Sequence, residues 1–242
     1  MAVISEIAPN IFRISTFAPS ANLQFNHFLV KDDEPLLYHT GLRGFHSEIH
    51  EAVSKLINVS ELRHIGYSHF ESDECGSLNE WLTAAPRADV ICSQVGAFVN
   101  VNDFIGRESR ALPDGGTFAT GKYRFRYYQT PHLPHGWDAG LLFEETQKTL
   151  FCSDLFHHVG DVEPLTTADV VGRSHQSLKE YQAGILAAYG PYTPLTGHNL
   201  KKLAGLRPKT LAIMHRSSFT GDGARALDDL DVALRDLFGP QN

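Results

Sequence analysis

A short stretch of this 242-residue sequence carries three side chains that can hold a metal ion. His69, Glu71 and Asp73 alternate with single residues and directly follow an apolar run. In extended backbone, residues at alternate positions face the same side, so one imidazole and two carboxylates would converge. This pattern predicts a metal site, and the alternative at this point is a solvated loop with a chance spacing.

Further candidate ligands stand at the ends of other apolar, strand-like runs. His132 follows such a run, Asp154 lies just beyond residues 149–152, and His215 ends another. Open α/β sheets place their sites outside the carboxyl ends of strands, so these residues could meet although they are distant in sequence. A lone histidine there is more often structural, but several together indicate a functional site.

The elements that must position these residues alternate between strands and helices. Apolar runs predict strands at residues 10–15, 26–30, 36–39, 62–67, 88–92, 122–129, 140–143, 149–152 and 210–214. Periodicity predicts a helix capped by Ser47, and helices at 76–85, 95–105, 174–189, 199–206 and the C-terminus. The order predicts an α/β fold, a four-layer αβ/βα sandwich of two mixed β-sheets flanked by helices. We expect residues 1–242 to form a single domain.

Composition limits the partners. Lys and Arg total 21 against 28 Asp and Glu, giving a formal charge of −7, so neither nucleic acid nor an anionic membrane surface is an expected partner. Three cysteines and no recognisable signal peptide indicate a cytoplasmic protein without a disulfide framework. No apolar run is long enough to span a bilayer.

Taken in order, the motifs resemble those of the metallo-β-lactamase fold superfamily. Residues 69–73 stand where most members have H-x-H-x-D-H, and residues 114–118 with 130–132 resemble the passage that ends in TPGH. Residues 148–154 resemble the kTLF-gD strand, and His215 resembles the terminal ligand. The H-x-E-x-D form is similar to the flavodiiron and oxygen-binding di-iron branch.

That resemblance implies a binuclear site. It assigns His69, Glu71 and His132 to the first metal, Asp73 and His215 to the second, and Asp154 to a bridging position. Near these ligands we expect a supporting group of four residues, Glu74, His135, Asp138 and His157. Glu74 stands where most members carry a further histidine ligand.

The chemistry of the implied ligands favours two iron ions, with zinc or manganese as the alternatives. Three imidazoles and three carboxylates without a thiolate suit iron or manganese better than zinc. The three carboxylates offset three of the four charges of two ferrous ions. A carboxylate at Glu71 in place of a neutral histidine would also stabilise the more highly charged ferric state.

The resemblance implies a non-haem di-iron protein that binds and reduces O₂ as an oxidoreductase, or that senses O₂ without catalysis. The alternative is a metallohydrolase that attacks an ester, thioester or lactone through a metal-bound hydroxide. The chain ends soon after its last helix, so we expect no FMN within it and a separate electron-donor protein. Related proteins are commonly dimers, and we expect a homodimer.

Overall fold

The computed structural model describes residues 1–239, and its framework is two seven-stranded β-sheets. The first sheet follows chain order: β1 Val3–Ala8, β2 Ile11–Ala18, β3 Leu23–Val30, β4 Leu36–Tyr38, β5 His64–Gly66, β6 Asp89–Ser93 and β7 Arg110–Leu112. Strands β1 to β4 pair antiparallel, and β4 to β7 pair parallel. This sheet is therefore mixed.

The second sheet has the order β12-β14-β13-β11-β10-β9-β8. Its strands are β8 Thr117–Ala119, β9 Arg124–Gln129, β10 Gly140–Glu144, β11 Thr149–Ser153, β12 Leu165–Thr166, β13 Thr210–Ile213 and β14 Ser218–Thr220. Strands β8 to β11 pair antiparallel, whereas β11 and β13 pair parallel. Strands β9, β11 and β13 consequently end at the same edge.

Eight α-helical segments accompany the sheets within residues 1–239. They are α1 His46–Ser54, α2 Ser72–Cys75, α3 Leu78–Ala84, α4 Gln94–Gly96, α5 Asn102–Ile105, α6 Val170–Tyr181, α7 Thr196–Ala204 and α8 Gly223–Phe238. A π-helical turn, Ala97–Val101, joins α4 to α5. None of these helices is both long enough and apolar enough to cross a bilayer.

Three apolar layers hold the sandwich together. Phe28 of the first sheet meets Phe151 of the second in the central layer, with ring centroids 5.6 Å apart. Trp81 of α3 packs into the layer outside the first sheet, and Leu227 of α8 into the layer outside the second. The predicted four-layer sandwich of two mixed sheets is confirmed. The single-domain assignment of residues 1–242 stays a prediction, and 240–242 lie outside the described residues.

The differences from the predicted elements have local causes. Strand β1 was not predicted, because Ile7 is its one side chain among the buried core residues and its sequence therefore lacks an apolar run. Ser47, the expected cap, lies inside α1. The helix predicted at 174–189 is Val170–Tyr181 instead, since the Asp169 carboxylate accepts hydrogen bonds from two backbone amides and starts it earlier.

Candidate metal centre

Four strand ends bring the candidate residues to one edge of the sandwich. Strand β5 of the first sheet leads into the loop with His69, and β9 of the second leads into the loop with His135. Asp154 directly follows β11, and His215 follows β13. Both sheets therefore contribute side chains to the same place, as expected at the carboxyl ends of strands.

The loop after β5 combines an extended part with a helical part. The amide of Glu71 donates a 3.0 Å hydrogen bond to the carbonyl of His69, so the chain turns at Phe70, and Glu71 itself is extended, with φ −138° and ψ 157°. Asp73 and Glu74 lie instead in α2, so consecutive residues turn by about 100° rather than alternating. This turn leaves Asp73 partly exposed and buries Glu74 completely, which alternation alone would not predict.

The first half of the centre contains two histidines and two carboxylates. Nε2 of His69 lies 3.0 Å from Nε2 of His135 and 3.0 Å from Oε2 of Glu71. Nε2 of His135 lies 2.8 Å from Oε2 of Glu71 and 3.2 Å from Oδ2 of Asp154. One ligand atom of each of these four residues lies within 4.8 Å of all the others.

The second half is built around His215. Its Nε2 atom lies 3.1 Å from Oδ2 of Asp73 and 3.2 Å from Oδ1 of Asp154. Asp154 thus directs one oxygen to His215 and the other to His135, which is the arrangement a bridging carboxylate needs. Ligand atoms of Glu71, Asp73 and Glu74 also lie within 4.8 Å of one another.

His132 does not join this group. It was expected as a ligand and His135 as a supporting residue, but the structure reverses their places: His132 is exposed and His135 contacts the cluster. The loop turns at His132, whose φ is +61°, and its amide donates a 2.8 Å hydrogen bond to the carbonyl of Gly136. The turn directs the side chain of His132 away and brings His135 inward.

A hydrogen bond from the first sheet fixes the orientation of His215. Nδ1 of His215 lies 2.9 Å from the carbonyl oxygen of Gln24 in β3, so this nitrogen carries the proton. Nε2 then faces Asp73 and Asp154, where it can either carry a proton or offer its lone pair to a metal ion. Two carboxylates and a lone pair repel one another unless a cation lies between them, and a metal ion fits this arrangement.

The spacing and the charges of the cluster also fit metal ions. Ligand atoms about 2.1 Å from a metal and at right angles lie about 3.0 Å apart, close to the separations around His69 and His135. Among residues 1–239, no Lys or Arg forms an ion pair with Glu71, Asp73, Glu74 or Asp154, whose ionic contacts are all with histidines. Buried carboxylates need a nearby positive charge, and metal ions would supply it.

The pKa values of the side chains in the cluster show the same need for positive charge. Hydrogen bonds from His135 and His69 lower the pKa of Glu71 to about 2. Burial alone would lower the pKa of His215, but Asp154 and Asp73 together raise it to about 10. Without metal, protonated imidazoles supply the charge that metal ions would supply when bound.

The other predicted supporting residues are near the cluster but differ in what they contact. The Asp138 carboxylate accepts a 2.9 Å hydrogen bond from the amide of Phe70, beside His69. His157 packs on His215 with ring centroids 4.9 Å apart, and its two nitrogens contact tyrosine hydroxyls. Ligand roles for the six predicted residues stay predictions.

Sequence reasoning missed several residues that hold the cluster in place. The hydroxyl of Ser68 lies 3.0 Å from Nδ1 of His69 and 2.7 Å from the hydroxyl of Ser153. Tyr181 and Tyr189 bracket His157 at 2.6 and 3.1 Å. The adjacency of Ser68 to His69 was an available signal, whereas the tyrosines were placed in a continuous helix that the structure ends at Tyr181.

The sequence also matches a known family. A family model described as "ODP family beta lactamase" matches residues 23–190, more than half of the chain. The chain belongs to this ODP family. The match includes the segments of His69, His135 and Asp154, while His215 lies beyond it.

Curated relatives of this ODP-family chain are longer proteins. A putative diflavin flavoprotein A 1 from Thermosynechococcus vestitus is 29% identical over 143 residues, which are 58% of this chain and 25% of the relative. A putative diflavin flavoprotein A 3 from Nostoc is 26% identical over 143 residues, with 57% and 25% covered. The chain thus spans about a quarter of the length of these relatives.

Solved structures share the fold of the ODP-family chain. A rubredoxin oxygen:oxidoreductase from Desulfovibrio gigas aligns with a TM-score of 0.81 at 18% identity, covering 96% of this chain and 62% of that one. A flavodiiron protein from Giardia intestinalis aligns at 0.80 and 18% identity, covering 98% and 60%. A fragment of a putative diflavin flavoprotein A 5 from Nostoc aligns at 0.78 and 15% identity, covering 96% of both chains. The chain therefore has a metallo-β-lactamase fold.

Proposed function

We propose that this chain holds a binuclear non-haem iron centre that binds O₂ and reduces it when a separate protein supplies electrons. The first iron would be held by His69, Glu71 and His135, the second by Asp73 and His215, and Asp154 would lie between them. When bound, two ferrous ions supply two electrons at a buried place that small molecules can reach.

One observation carries the proposal: three imidazoles and at least three carboxylates converge with no thiolate and no Lys or Arg partner among the described residues. Oxygen-rich donor sets suit iron and manganese, whereas thiolates and additional imidazoles suit zinc. The extra negative charge also stabilises a more oxidised metal. The donor set therefore favours redox chemistry over plain hydrolysis.

The residues around the cluster orient the ligands and separate them from water. The Ser68 hydroxyl forms a hydrogen bond with Nδ1 of His69, and the Gln24 carbonyl accepts one from Nδ1 of His215, so that each Nε2 faces the centre. His69, Asp154 and His215 are buried, with 2%, 4% and 3% of their surface exposed. Such burial strengthens electrostatic interactions within the site.

One side of the centre remains open. Half of the Glu71 side chain is exposed, and it borders a cleft of about 360 Å³. Phe70 and Phe104 line this cleft with rings 5.4 Å apart. We propose that O₂ enters here and that the electron donor docks around the same opening. The homodimer stays a prediction.

The proposal agrees with the names of the structural neighbours, which include an oxygen oxidoreductase and flavodiiron proteins. The chain spans only part of their length, so their complete activities do not transfer to it. Four electrons reduce O₂ to two water molecules, and two ferrous ions supply only two. Turnover therefore requires the separate electron donor. Without it we expect the protein to bind O₂, or to oxidise its two ferrous ions once and then stop.

Anaerobic purification followed by metal analysis and spectroscopy tests the proposal. We expect about two iron ions per chain after anaerobic reconstitution with Fe(II), and a new near-ultraviolet absorption band on exposure to air. A preparation that binds zinc in preference to iron, shows no change in air and hydrolyses esters or thioesters would support the hydrolase instead. NADH-linked O₂ consumption with added flavodoxin or rubredoxin then distinguishes an oxidase from a sensor.

A further inference from the structure

Glu74 has an environment that its predicted supporting role does not explain. Its side chain is completely buried, and its Oε1 accepts a 3.4 Å hydrogen bond from the hydroxyl of Ser153. Its Oε2 atom is buried and accepts no hydrogen bond within the described residues, yet lies 3.9 Å from Nε2 of His69. A ligand atom of Glu74 also lies within 4.8 Å of those of Glu71 and Asp73.

An unpartnered carboxylate oxygen is costly to bury. In this case the cost is increased by neighbours of the same charge, because Asp154 and Asp73 also lie near Glu74. A buried carboxylate in such a place needs a positively charged partner, and no Lys or Arg among the described residues forms an ion pair with Glu74.

We propose that Glu74 is a direct ligand of the second metal ion, together with Asp73 and His215, with Asp154 shared between the two metals. This inference rests on the proposed metal centre. It leaves no buried carboxylate of the cluster unpartnered, and it gives each metal four protein ligands.

The four carboxylates would then carry a charge of −4, which balances two divalent ions completely. The second metal would have one nitrogen and three carboxylate ligands, whereas the first would have two nitrogens and two carboxylates. Carboxylate ligands suit Mn²⁺ better than imidazoles do, so we expect the affinity advantage of zinc over Mn²⁺ to be smaller at the second position than at the first.

Glu74→Gln tests the assignment because the amide oxygen can still accept from Ser153 while the charge is lost. Metal stoichiometry and affinity are measured anaerobically by titration with Mn(II) and with Fe(II). We expect wild type to bind two ions and the variant to bind one tightly, with at least a tenfold weaker second site. Without metal, the thermal midpoint of the variant should be at least as high as that of wild type; with metal it should be lower.

Glu144→Gln is the matched control, because Glu144 is also completely buried but accepts only from backbone amides of Thr146 and Gln147. It should bind two ions with wild-type affinity. Two tightly bound ions in Glu74→Gln would overturn the assignment and leave the metal centre intact. Wild type that binds no metal would overturn the proposed function and this assignment with it.

A crystal structure of wild type loaded with Mn(II) gives a test that does not depend on the variant folding. A Glu74 oxygen at about 2.0–2.2 Å from an ion, as for carboxylate ligands in general, supports the assignment. Two ions in the site with both Glu74 oxygens beyond about 3 Å would overturn it.

Discussion

Removing the hydroxyl of Ser68 should weaken metal binding without touching a ligand. Ser68 is buried, with 2% of its surface exposed. Its hydroxyl oxygen lies 3.0 Å from Nδ1 of His69, 2.7 Å from the hydroxyl oxygen of Ser153 and 3.3 Å from Nε2 of His39. It is the hydrogen-bond partner that orients the imidazole of His69. The Ser68→Ala variant leaves His69 unchanged but removes the hydrogen bond that orients its imidazole ring.

The size of the effect follows from what is left unpaired. Loss of a hydrogen bond that orients a metal ligand typically weakens metal binding by about 10–100-fold, or about 1.4–2.7 kcal/mol. Nδ1 of His69 and Nε2 of His39 both lose their partner at Ser68. Buried groups left unsatisfied cost about 1–3 kcal/mol, so the metal-free protein should also lose stability, by about 2 kcal/mol.

Metal affinity is measured by competition with a chelator, and stability by urea unfolding of the metal-free protein. Ser174→Ala is the matched control, since Ser174 is equally buried but its hydroxyl has no hydrogen-bond partner among residues 1–239. It should leave metal affinity unchanged. If Ser68→Ala binds metal within twofold of both wild type and the control, the hydrogen bond to His69 does not orient a ligand and the reasoning is refuted.

Two further pairs of variants test the site and its support. His135→Ala should weaken metal binding by more than about 100-fold, beyond the usual effect of a supporting residue, whereas the exposed His132→Ala should change it less than twofold; equal effects in a metal titration would contradict the geometry. Gly140→Ala should destabilise the protein by about 1–3 kcal/mol or more, because a Cβ there would overlap the buried ring of Tyr127. Gly44→Ala, where a Cβ meets nothing within 4 Å, should leave the thermal midpoint within a degree or two. A midpoint shift shared by both variants would show that crowding at Tyr127 is not the cause.

The sandwich could be predicted because its buried strands are strongly patterned. Residues 140–143 and 149–152 are apolar runs, and the structure buries every residue of β10 and β11. Strand β1 lacks such a pattern, since it lies at the edge of its sheet with one side chain in the core. An edge strand is held mainly by backbone hydrogen bonds to its one neighbouring strand and buries few side chains. Its sequence therefore lacks the apolar pattern by which a strand is predicted.

The candidate ligands close to strand ends could be predicted to converge, but the reversal of the loop at His132 could not. Asp154 directly follows β11, His215 lies two residues beyond β13, and His69 and Glu71 lie in the loop after β5. The structure brings these four side chains into one cluster. His132 follows a strand-like run and stands where the family resemblance implies a ligand, but its left-handed backbone and the turn that it closes reverse the direction of the loop.

The burial of Glu74 could not be predicted from the sequence either. It depends on four residues folding into a helical turn instead of continuing the extended backbone of Glu71. A single turn of helix is too short for any periodicity to be detected, and its formation depends on contacts elsewhere in the fold. Propensity alone therefore leaves the orientation of Asp73 and Glu74 open.

The shared position of the centre between the sheets has a mechanical consequence. His69, Glu71 and Asp73 follow β5 of one sheet, whereas Asp154 and His215 follow strands of the other. Bound ions would therefore crosslink the two halves of the sandwich at their open edge. Because ligation contributes to the free energy of folding, loading with metal should make the two sheets unfold as one cooperative unit. Hydrogen exchange at β5 and at β13 should then slow together, although the two strands belong to different sheets.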